Sequence, residues 1–220
     1  MCFRMGTEYE LGCIYPPAED SILLLEAARH AEGEVLELCA GSGLAGLSAC
    51  STANSVLFVD TNGAALRVIK RAAKERGIKN YSVLKSDLFE ELGTRRFDTV
   101  LANPPYLPEK AEKEPFHDAL VGGKHGYETT LRIIQGLRDH LKPNGRAFLV
   151  LSTVYGIDKV YKALADIGFE FEVLGTRKFF FEELILIVIY ERRWHSGSER
   201  SAYSGGNNKR LRQSSSRQRR

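Results

Sequence analysis

Phe97-Asp98-Thr99-Val100-Leu101-Ala102-Asn103-Pro104-Pro105-Tyr106 contains a short apolar strand that two consecutive prolines bring to an end. Each proline lacks a backbone N–H and holds φ at about −65°, so the strand ladder cannot continue through them. Pro104 also favours an extended conformation at Asn103. The segment therefore predicts a rigid corner at a strand end, where an amide side chain and an aromatic ring are held in a fixed relation.

This corner suits chemistry on a planar nitrogen, such as an amide or an exocyclic amine, whose delocalised lone pair makes it a poor nucleophile. The side-chain oxygen of Asn103 and the backbone carbonyl of Pro104 can each accept one N–H of such a group. They would then hold the nitrogen in line with an electrophilic methyl group, while Tyr106 stacks on the flat group. A plain proline turn after a strand is the alternative interpretation of these residues alone.

A glycine-containing loop follows another predicted strand near the start of the chain. The strand is Val35-Leu36-Glu37-Leu38, and the loop Cys39-Ala40-Gly41-Ser42-Gly43 leads into a helix of small residues. Such a loop lets a ligand approach the backbone closely and presents free N–H groups at a helix start. Dinucleotide-binding folds share this pattern, so by itself it predicts no more than a ligand loop.

Acidic residues follow the next two predicted strands. Asp60 ends the strand at 55–59, 17 positions after Gly43, where a carboxylate can accept hydrogen bonds from both hydroxyls of a ribose. Asp87 follows the strand at 81–84, where it could meet the amino group of an adenine. Ligands of open α/β sheets bind at the carboxyl ends of strands. Because the glycine loop, Asp60, Asp87 and Asn103 all follow strands, we expect them to meet in one site.

The remaining segments alternate between helical and strand patterns. Helices are predicted at 22–28, 62–76, 127–141 and 157–167, and further strands at 146–151, 169–174 and 184–190. Asp20 or Ser21 is predicted to cap the first helix. Three consecutive aromatic residues, Phe179-Phe180-Phe181, lie between the last two strands. We interpret them as core or hairpin packing.

A long loop is predicted at 107–125, next to Asn103. Loops of this length are usually functional or mobile, so this one is expected to border the substrate. His117 and His125 lie in it. They are candidate proton carriers, although solvated loop histidines are the simpler interpretation.

The composition describes an acidic body with a basic tail. Residues 192–220 hold nine Lys or Arg and one acid, a net charge of +8; since the whole chain is +3, residues 1–191 carry −5. No apolar run reaches the roughly 18 residues of a membrane span, and no signal peptide is recognisable. The four cysteines show no metal-binding spacing and read as reduced thiols. We predict a cytoplasmic protein with one domain at 1–192 and a disordered tail at 193–220.

Three motifs resemble the HemK-type protein-glutamine N5-methyltransferases. Asn103-Pro104-Pro105-Tyr106 is similar to the NPPY motif of class I S-adenosylmethionine-dependent N-methyltransferases. Tyr15-Pro16-Pro17-Ala18-Glu19-Asp20-Ser21 resembles the archaeal and eukaryotic branch, and Gly122-Gly123-Lys124-His125-Gly126 before a helix is also similar. The resemblance covers roughly residues 8–192. It implies a Rossmann-like α/β fold, with a seven-stranded, mostly parallel sheet and helices on both faces.

The resemblance also implies a reaction, in which S-adenosylmethionine methylates N5 of the glutamine in the Gly-Gly-Gln motif of class I translation termination factors. The implied cofactor contacts are Ser21, Glu37, Cys39, Gly41, Gly43, Asp60, Asp87, Leu88 and Asn103. Asn103 and Pro104 would hold the glutamine amide, in a slot shaped by Pro105 and Tyr106. No metal is implied. Cys39 stands where the family usually has glycine, which predicts an altered fit to the cofactor.

The resemblance implies a partner as well. Enzymes of the archaeal and eukaryotic branch work with a small zinc-binding activator protein, which could pair with the strand from Tyr81 to Leu84, expected at the sheet edge. A nucleic-acid N-methyltransferase acting on adenine N6 or guanine N2 stays open, because its motifs are similar. A non-catalytic binding module is a third alternative. The basic tail could contact RNA through phosphates, although a dispensable extension is the simpler interpretation.

Overall fold

The computed structural model describes residue 14 and residues 16–110, 117–154, 156–180 and 182–191. The predictions made for the first 13 residues, for Tyr15, for Phe181 and for the tail from 192 onward therefore lie outside the described residues. Within the described ranges, no helix has the length and apolar character needed to cross a bilayer. No group of His, Cys, Asp and Glu in those ranges is arranged to hold a metal ion, and Cys39 and Cys50 are free thiols.

Strands and helices alternate through most of the chain. The strands are β1 Glu34–Leu38, β2 Ser55–Asp60, β3 Tyr81–Lys85, β4 Phe97–Ala102, β5 Leu141–Ser152, β6 Phe169–Lys178 and β7 Glu183–Glu191. The helices are α1 Glu19–Ala28, α2 Leu44–Ala49, α3 Gly63–Glu75, α4 His117–Leu120, α5 Glu128–His140 and α6 Ile157–Asp166.

All seven strands form one sheet in the order β3-β2-β1-β4-β5-β7-β6. The first five strands in that order are parallel, and β7 runs antiparallel to both of its neighbours. This confirms the predicted seven-stranded, mostly parallel sheet, with β3 at one edge. The strand order reverses between β1 and β4, and a crevice opens outside the carboxyl ends of the strands at such a point.

Apolar side chains cover both faces of the sheet. Along β2, Val56 and Phe58 point into the core layer that contains α1, α2 and α3, whereas Leu57 and Val59 point into the layer that contains α5 and α6. The buried strands are apolar on both faces because helices cover both, as is usual for parallel sheets. The two layers leave the carboxyl ends of β1 to β4 free to form a site.

Several local predictions differ from the structure. Helix α1 begins at Glu19 with Ala18 as its N-cap and without a side-chain cap, so capping by Asp20 or Ser21 is wrong. The long loop contains the short helix α4 and a bridge between Leu107 and Val121. Strand β5 begins earlier than predicted, because Leu141 already pairs with Phe97 of β4. Strand β6 is longer than predicted, because its pairing with β7 continues to Lys178 opposite Glu183.

Phe180 is 92% exposed, so its interpretation as core or hairpin packing is also wrong.

Candidate active site

A cleft of about 420 Å³ opens at the carboxyl ends of β1 to β4. It is lined by eleven of the predicted site residues: Ser21, Glu37, Cys39, Gly41, Asp60, Asp87, Leu88, Asn103, Pro104, Pro105 and Tyr106. The structure thus brings together side chains that are more than 80 positions apart in the chain. Gly43 is the exception, because it does not line the cleft.

The loop after β1 turns sharply under the cleft. Cys39 and Gly41 have φ of 51° and 50°, in the left-handed region that favours glycine. Cys39 therefore carries a backbone conformation better suited to the glycine that the resembling family has there. Gly43 has φ of 69°, and a Cβ on it would lie 2.6 Å from the side chain of Ile69. Glycine is therefore required at position 43 by the positive φ of the turn and by the close contact with Ile69.

Asp60 joins the tip of β2 to this loop. One carboxylate oxygen accepts a hydrogen bond from the backbone N–H of Gly41 at 2.8 Å, and the other accepts from Asn62 at 2.8 Å. Each oxygen retains a lone pair, because a carboxylate has about four acceptor sites. The two backbone contacts hold the carboxylate in one orientation at the rim of the cleft.

Glu37 is a buried carboxyl in the floor of the cleft, 3% exposed. Burial raises its pKa from 4.5 to about 8, and the nearby charge of Asp60 acts in the same direction. The backbone N–H of Gly46 donates to the carboxyl at 3.1 Å and partly offsets the burial. Burial, together with Asp60 and Asp87, also raises the pKa of the Cys39 thiol. The floor of the cleft is therefore an environment that disfavours additional negative charge.

Helix α5 positions the segment that follows β3. Arg132 donates to Asp87 at 3.0 Å, and the ring of Phe89 stacks on His140 with their centroids 4.6 Å apart. A Cβ on Gly136 would lie 2.3 Å from the Phe89 ring, so the ring lies directly on the helix at this glycine. These contacts hold Asp87 and the adjoining Leu88 at the cleft wall.

Asp20 fixes the orientation of the Asn103 amide. The Asn103 Nδ2 donates to Asp20 Oδ2 at 2.9 Å, and Asp20 is 2% exposed. An ionised carboxylate can only accept, so the NH2 side of the amide must face Asp20 and the oxygen must face away. Among the described residues, Asn103 Oδ1 is buried and has no hydrogen-bond donor. The pair therefore leaves a fixed acceptor without a described donor on a residue that lines the cleft.

The prediction from the sequence missed the role of Asp20, which it treated as a helix cap. A signal was present, because Asp20 lies on the same helix face as the apolar Leu23, Leu24 and Ala27. An acid on the buried face of a helix requires a polar partner. The partner itself was not visible, since it lies 83 positions away.

Two glycines allow a second segment to lie against the corner after β4. A Cβ on Gly122 would lie 2.3 Å from the carbonyl oxygen of Pro105, and a Cβ on Gly126 would lie 2.4 Å from that of Tyr106. Hydrogen bonds from Leu107 N to Leu120 O at 2.7 Å and from Gly122 N to Leu107 O at 2.8 Å complete the contact. The similar glycine motif noted in the sequence therefore supports the backbone of Asn103-Pro104-Pro105-Tyr106.

The loop histidines do not contribute to the described cleft lining. His125 is exposed, and its Nδ1 lies 2.6 Å from a carboxylate oxygen of Glu128 while its ring stacks on Tyr127. The side chain of His117 lies outside the description. His125 is thus placed as an exposed loop residue rather than as a proton carrier in the cleft.

The charge of the cleft is one-sided. Its described lining contains four acids, Asp20, Glu37, Asp60 and Asp87, and neither lysine nor arginine. Asp87 is paired with Arg132 outside the lining, and Glu37 has a raised pKa, so the negative charge rests mainly on Asp20 and Asp60. Such a site attracts cationic or neutral ligands and repels phosphates.

Relatives with this fold are recognisable by sequence. The chain is 36% identical over 179 residues to a "Putative protein N5-glutamine methyltransferase" of Methanocaldococcus jannaschii, covering 79% of this chain and 90% of the relative. It is 38% identical over 122 residues to the ribosomal protein uL3 glutamine methyltransferase of Bradyrhizobium diazoefficiens, covering 50% and 38%. It is 27% identical over 195 residues to the release factor glutamine methyltransferase of Borreliella burgdorferi, covering 73% and 68%.

A solved structure with the same fold is the E. cuniculi Mtq2–Trm112 complex responsible for methylation of the eRF1 translation termination factor. It superposes with a TM-score of 0.63 at 22% identity, over 81% of this chain and 98% of that one. The methyltransferase small domain family matches residues 19–180. The chain therefore belongs to the methyltransferase small domain family and is a methyltransferase with the class I, Rossmann-like fold.

Proposed function

We propose that this enzyme transfers the methyl group of S-adenosylmethionine to the side-chain nitrogen N5 of a glutamine, in the Gly-Gly-Gln motif of a class I translation termination factor. The observation that carries the proposal is the Asn103 amide, which Asp20 holds with its oxygen buried and without a donor among the residues that the structure describes. A planar NH2 group can donate a hydrogen bond to that oxygen. The names of two relatives support a glutamine target. A cytoplasmic location is part of the same proposal.

The cleft residues fit S-adenosylmethionine. When bound, this cofactor supplies an electrophilic methyl group on a positively charged sulfur. Four acids without a described cation in the lining suit a cationic ligand, and a cation near Glu37 would favour its ionised form. In this proposal Asp60 accepts hydrogen bonds from the ribose hydroxyls, and Asp87 with Leu88 meets the adenine.

The methionine part of the cofactor would lie against the loop after β1. Gly41 leaves open space there, because the nearest atom to a Cβ on it lies 4.0 Å away. Ser21 and Glu37 line the same region. Cys39 brings a half-buried thiol to the position of a glycine in the resembling family, so we propose a cofactor pocket that is narrower at this point.

Asn103 and Pro104 perform the positioning step. The Asn103 side-chain oxygen accepts one N–H of the target amide and the Pro104 carbonyl accepts the other. These two contacts hold the nitrogen in line with the methyl group and favour its rehybridisation. Pro105 shapes the slot, and Tyr106 stacks on the flat amide. With the cofactor bound, the nitrogen would gain the methyl group as the sulfur–methyl bond breaks, S-adenosylhomocysteine would be left, and one proton would pass from the nitrogen to solvent.

The charge of the cleft favours a protein target over a nucleic acid. Proteins that bind nucleic acids neutralise phosphates with lysine and arginine, and these contacts supply most of the non-specific affinity. The described lining of this cleft contains neither residue. A glutamine side chain, which is neutral and narrow, meets no such electrostatic penalty.

A small zinc-binding activator protein is the partner we propose for the edge strand β3. One edge of β3 carries no neighbouring strand in the described sheet, and its Val83 and Leu84 are only half-buried. Unpaired strand edges of this kind accept a strand from another chain. Purification of this chain alone as a soluble, fully active monomer would contradict the proposal.

The test is methyl transfer from labelled S-adenosylmethionine, with and without the activator. The substrates are a release factor, its Gly-Gly-Gln→Gly-Gly-Ala variant, ribosomal protein uL3 and bulk RNA. We expect label on the wild-type factor only. Label on RNA, or equal label on both factors, would refute the substrate assignment. Asn103→Ala should lose most activity while calorimetry shows near-normal cofactor binding, and intact turnover in that variant would refute its role.

A further inference from the structure

Exposed apolar side chains are concentrated at the end of the sheet where the cleft opens. Among the described residues, the large apolar side chains that are well exposed are Ile22, Val154, Val173, Phe179 and Phe180. All but Val173 lie at the cleft end: Ile22 is in the first turn of α1, Val154 follows β5, and Phe179 and Phe180 lie between β6 and β7. We call the four residues Ile22, Val154, Phe179 and Phe180 the apolar rim.

The hairpin of β6 and β7 carries half of this rim. Phe179 N donates to the carbonyl of Glu182 at 2.7 Å and closes the tip. Because β7 runs antiparallel to β5, its first residue lies beside the carboxyl end of β5, where Glu183 and Thr153 exchange hydrogen bonds of 3.0 and 3.2 Å. Val154 is the next residue after Thr153. The hairpin tip and Val154 therefore share the cleft end of the sheet.

The tip of the hairpin extends farther along the strand direction, beyond the carboxyl ends of the strands, than the corner at Asn103 does. Ala102, the last residue of β4, is level with Leu149 of β5, and β5 continues to Ser152. Three residues of strand add roughly 10 Å. The hairpin is two strands away from β4, a lateral distance of about 10 Å. It thus forms a wall beside the mouth of the cleft.

Helix α1 connects this wall to the corner. Its residue Asp20 holds Asn103 at 2.9 Å, and its residue Glu26 holds Arg177 of the hairpin at 2.5 Å. Ile22 lies on the same exposed helix face as Glu26, one turn nearer to Asp20. Ile22 also directly follows Ser21, which lines the cleft, so the rim reaches the edge of the cleft at α1.

The charges of the hairpin are paired within this chain. Arg177 is bound by Glu26, and Lys178 lies 3.9 Å from Glu183. Each of these two cations has an acidic neighbour, so the pairs together add no net positive charge beside the rim.

We propose that the apolar rim binds an apolar segment of the substrate protein outside the loop that carries the target glutamine. The inference rests on the function proposed above. A protein that inserts one side chain into the cleft must lay its surface on the adjoining wall, and exposed apolar patches of this kind mark contact sites. Aromatic side chains at the centre of a contact commonly supply much of its affinity.

The test compares Phe180→Ser with the matched control Val173→Ser, which removes an exposed apolar side chain seven positions earlier in the middle of β6. Each enzyme methylates the whole release factor and a short peptide that contains only the Gly-Gly-Gln loop. We expect Phe180→Ser to raise KM for the whole factor roughly tenfold or more, without change in kcat. On the peptide, Phe180→Ser should have the same kcat and KM as the unaltered enzyme. Val173→Ser should match the unaltered enzyme on both substrates.

Other results would overturn the inference. Equal kcat/KM for the whole factor in Phe180→Ser and the unaltered enzyme would do so, and so would an equal loss with the peptide, which would place the effect in the cleft. A variant that loses self-association in light scattering at constant KM would identify the rim as a contact between copies. No label on factor or peptide from the unaltered enzyme would refute the proposed function itself, and the inference with it.

Discussion

The hydrogen bond between Asp20 and Asn103 leads to a sharp prediction about amide orientation. With aspartate at position 20, only one orientation of the Asn103 amide is compatible with the contact, because a carboxylate cannot donate. In Asp20→Asn, two orientations become compatible. In one of them the new side chain donates to Asn103 Oδ1 and occupies the acceptor meant for the substrate. We therefore expect a loss of kcat with near-normal cofactor affinity.

The size of the loss follows from the type of hydrogen bond. Hydrogen bonds to charged groups contribute about 1.5–3 kcal/mol, and neutral ones about 0.5–1.5 kcal/mol. The difference of about 1–1.5 kcal/mol corresponds to roughly 5- to 13-fold. Equal occupancy of the two orientations would remove about another factor of two. We expect Asp20→Asn to reduce kcat roughly 10- to 25-fold.

The assay is methylation of the release factor at saturating cofactor, with cofactor binding followed by calorimetry. Glu19→Gln is the matched control, since it replaces an exposed acid of the same helix by an amide and removes the same charge. It should retain full activity. A kcat for Asp20→Asn within twofold of the unaltered enzyme would refute the claim that Asp20 sets the orientation of the amide.

Two further substitutions test Glu37 in the floor of the cleft and Gly122, which lies against the corner after β4. Because burial raises the pKa of Glu37 to about 8, the folded protein holds an extra proton between pH 4.5 and 8, so its stability should fall over that window by up to a few kcal/mol. Urea unfolding without cofactor should show this fall in the free energy of unfolding, and Glu37→Gln should remove it. Parallel plots of that free energy against pH for the two proteins would contradict the raised pKa of Glu37. Gly122→Ala places a Cβ 2.3 Å from the Pro105 carbonyl and should lower kcat at least tenfold with the cofactor still bound. Gly63→Ala, whose Cβ would meet its nearest atom at 3.6 Å, is the control, and equal activity in both variants would refute the close-contact argument.

Much of the site could be predicted because it depends on local order along the chain. In a parallel α/β sheet, residues that follow strands converge at one edge whatever the details of packing. The loop after β1, Asp87 and Asn103 each follow a strand, Asp60 is the last residue of one, and all of them adjoin the cleft. Gly43 does not line it, because its conformation and its contact with Ile69 serve the turn instead.

Features that depend on contacts between distant segments could not be predicted. Nothing near Asp20 in the chain indicates that it bonds Asn103, and nothing near Gly122 indicates how closely it approaches Pro105. Phe180 was assigned to packing because three consecutive aromatics usually pack. Its exposure is decided by how far the hairpin extends beyond β5.

The sequence by itself determined the α/β class, the strand-by-strand order of the cleft residues and the rigid corner after β4. These properties follow from hydrophobic periodicity and from proline and glycine backbone preferences, which act over a few residues. Tertiary structure alone decided which way the Asn103 amide faces, how strongly Glu37 holds its proton and which apolar residues remain exposed beside the cleft. Those properties depend on hydrogen-bond partners, burial and distances between segments far apart in the chain, and only the folded chain brings such segments together.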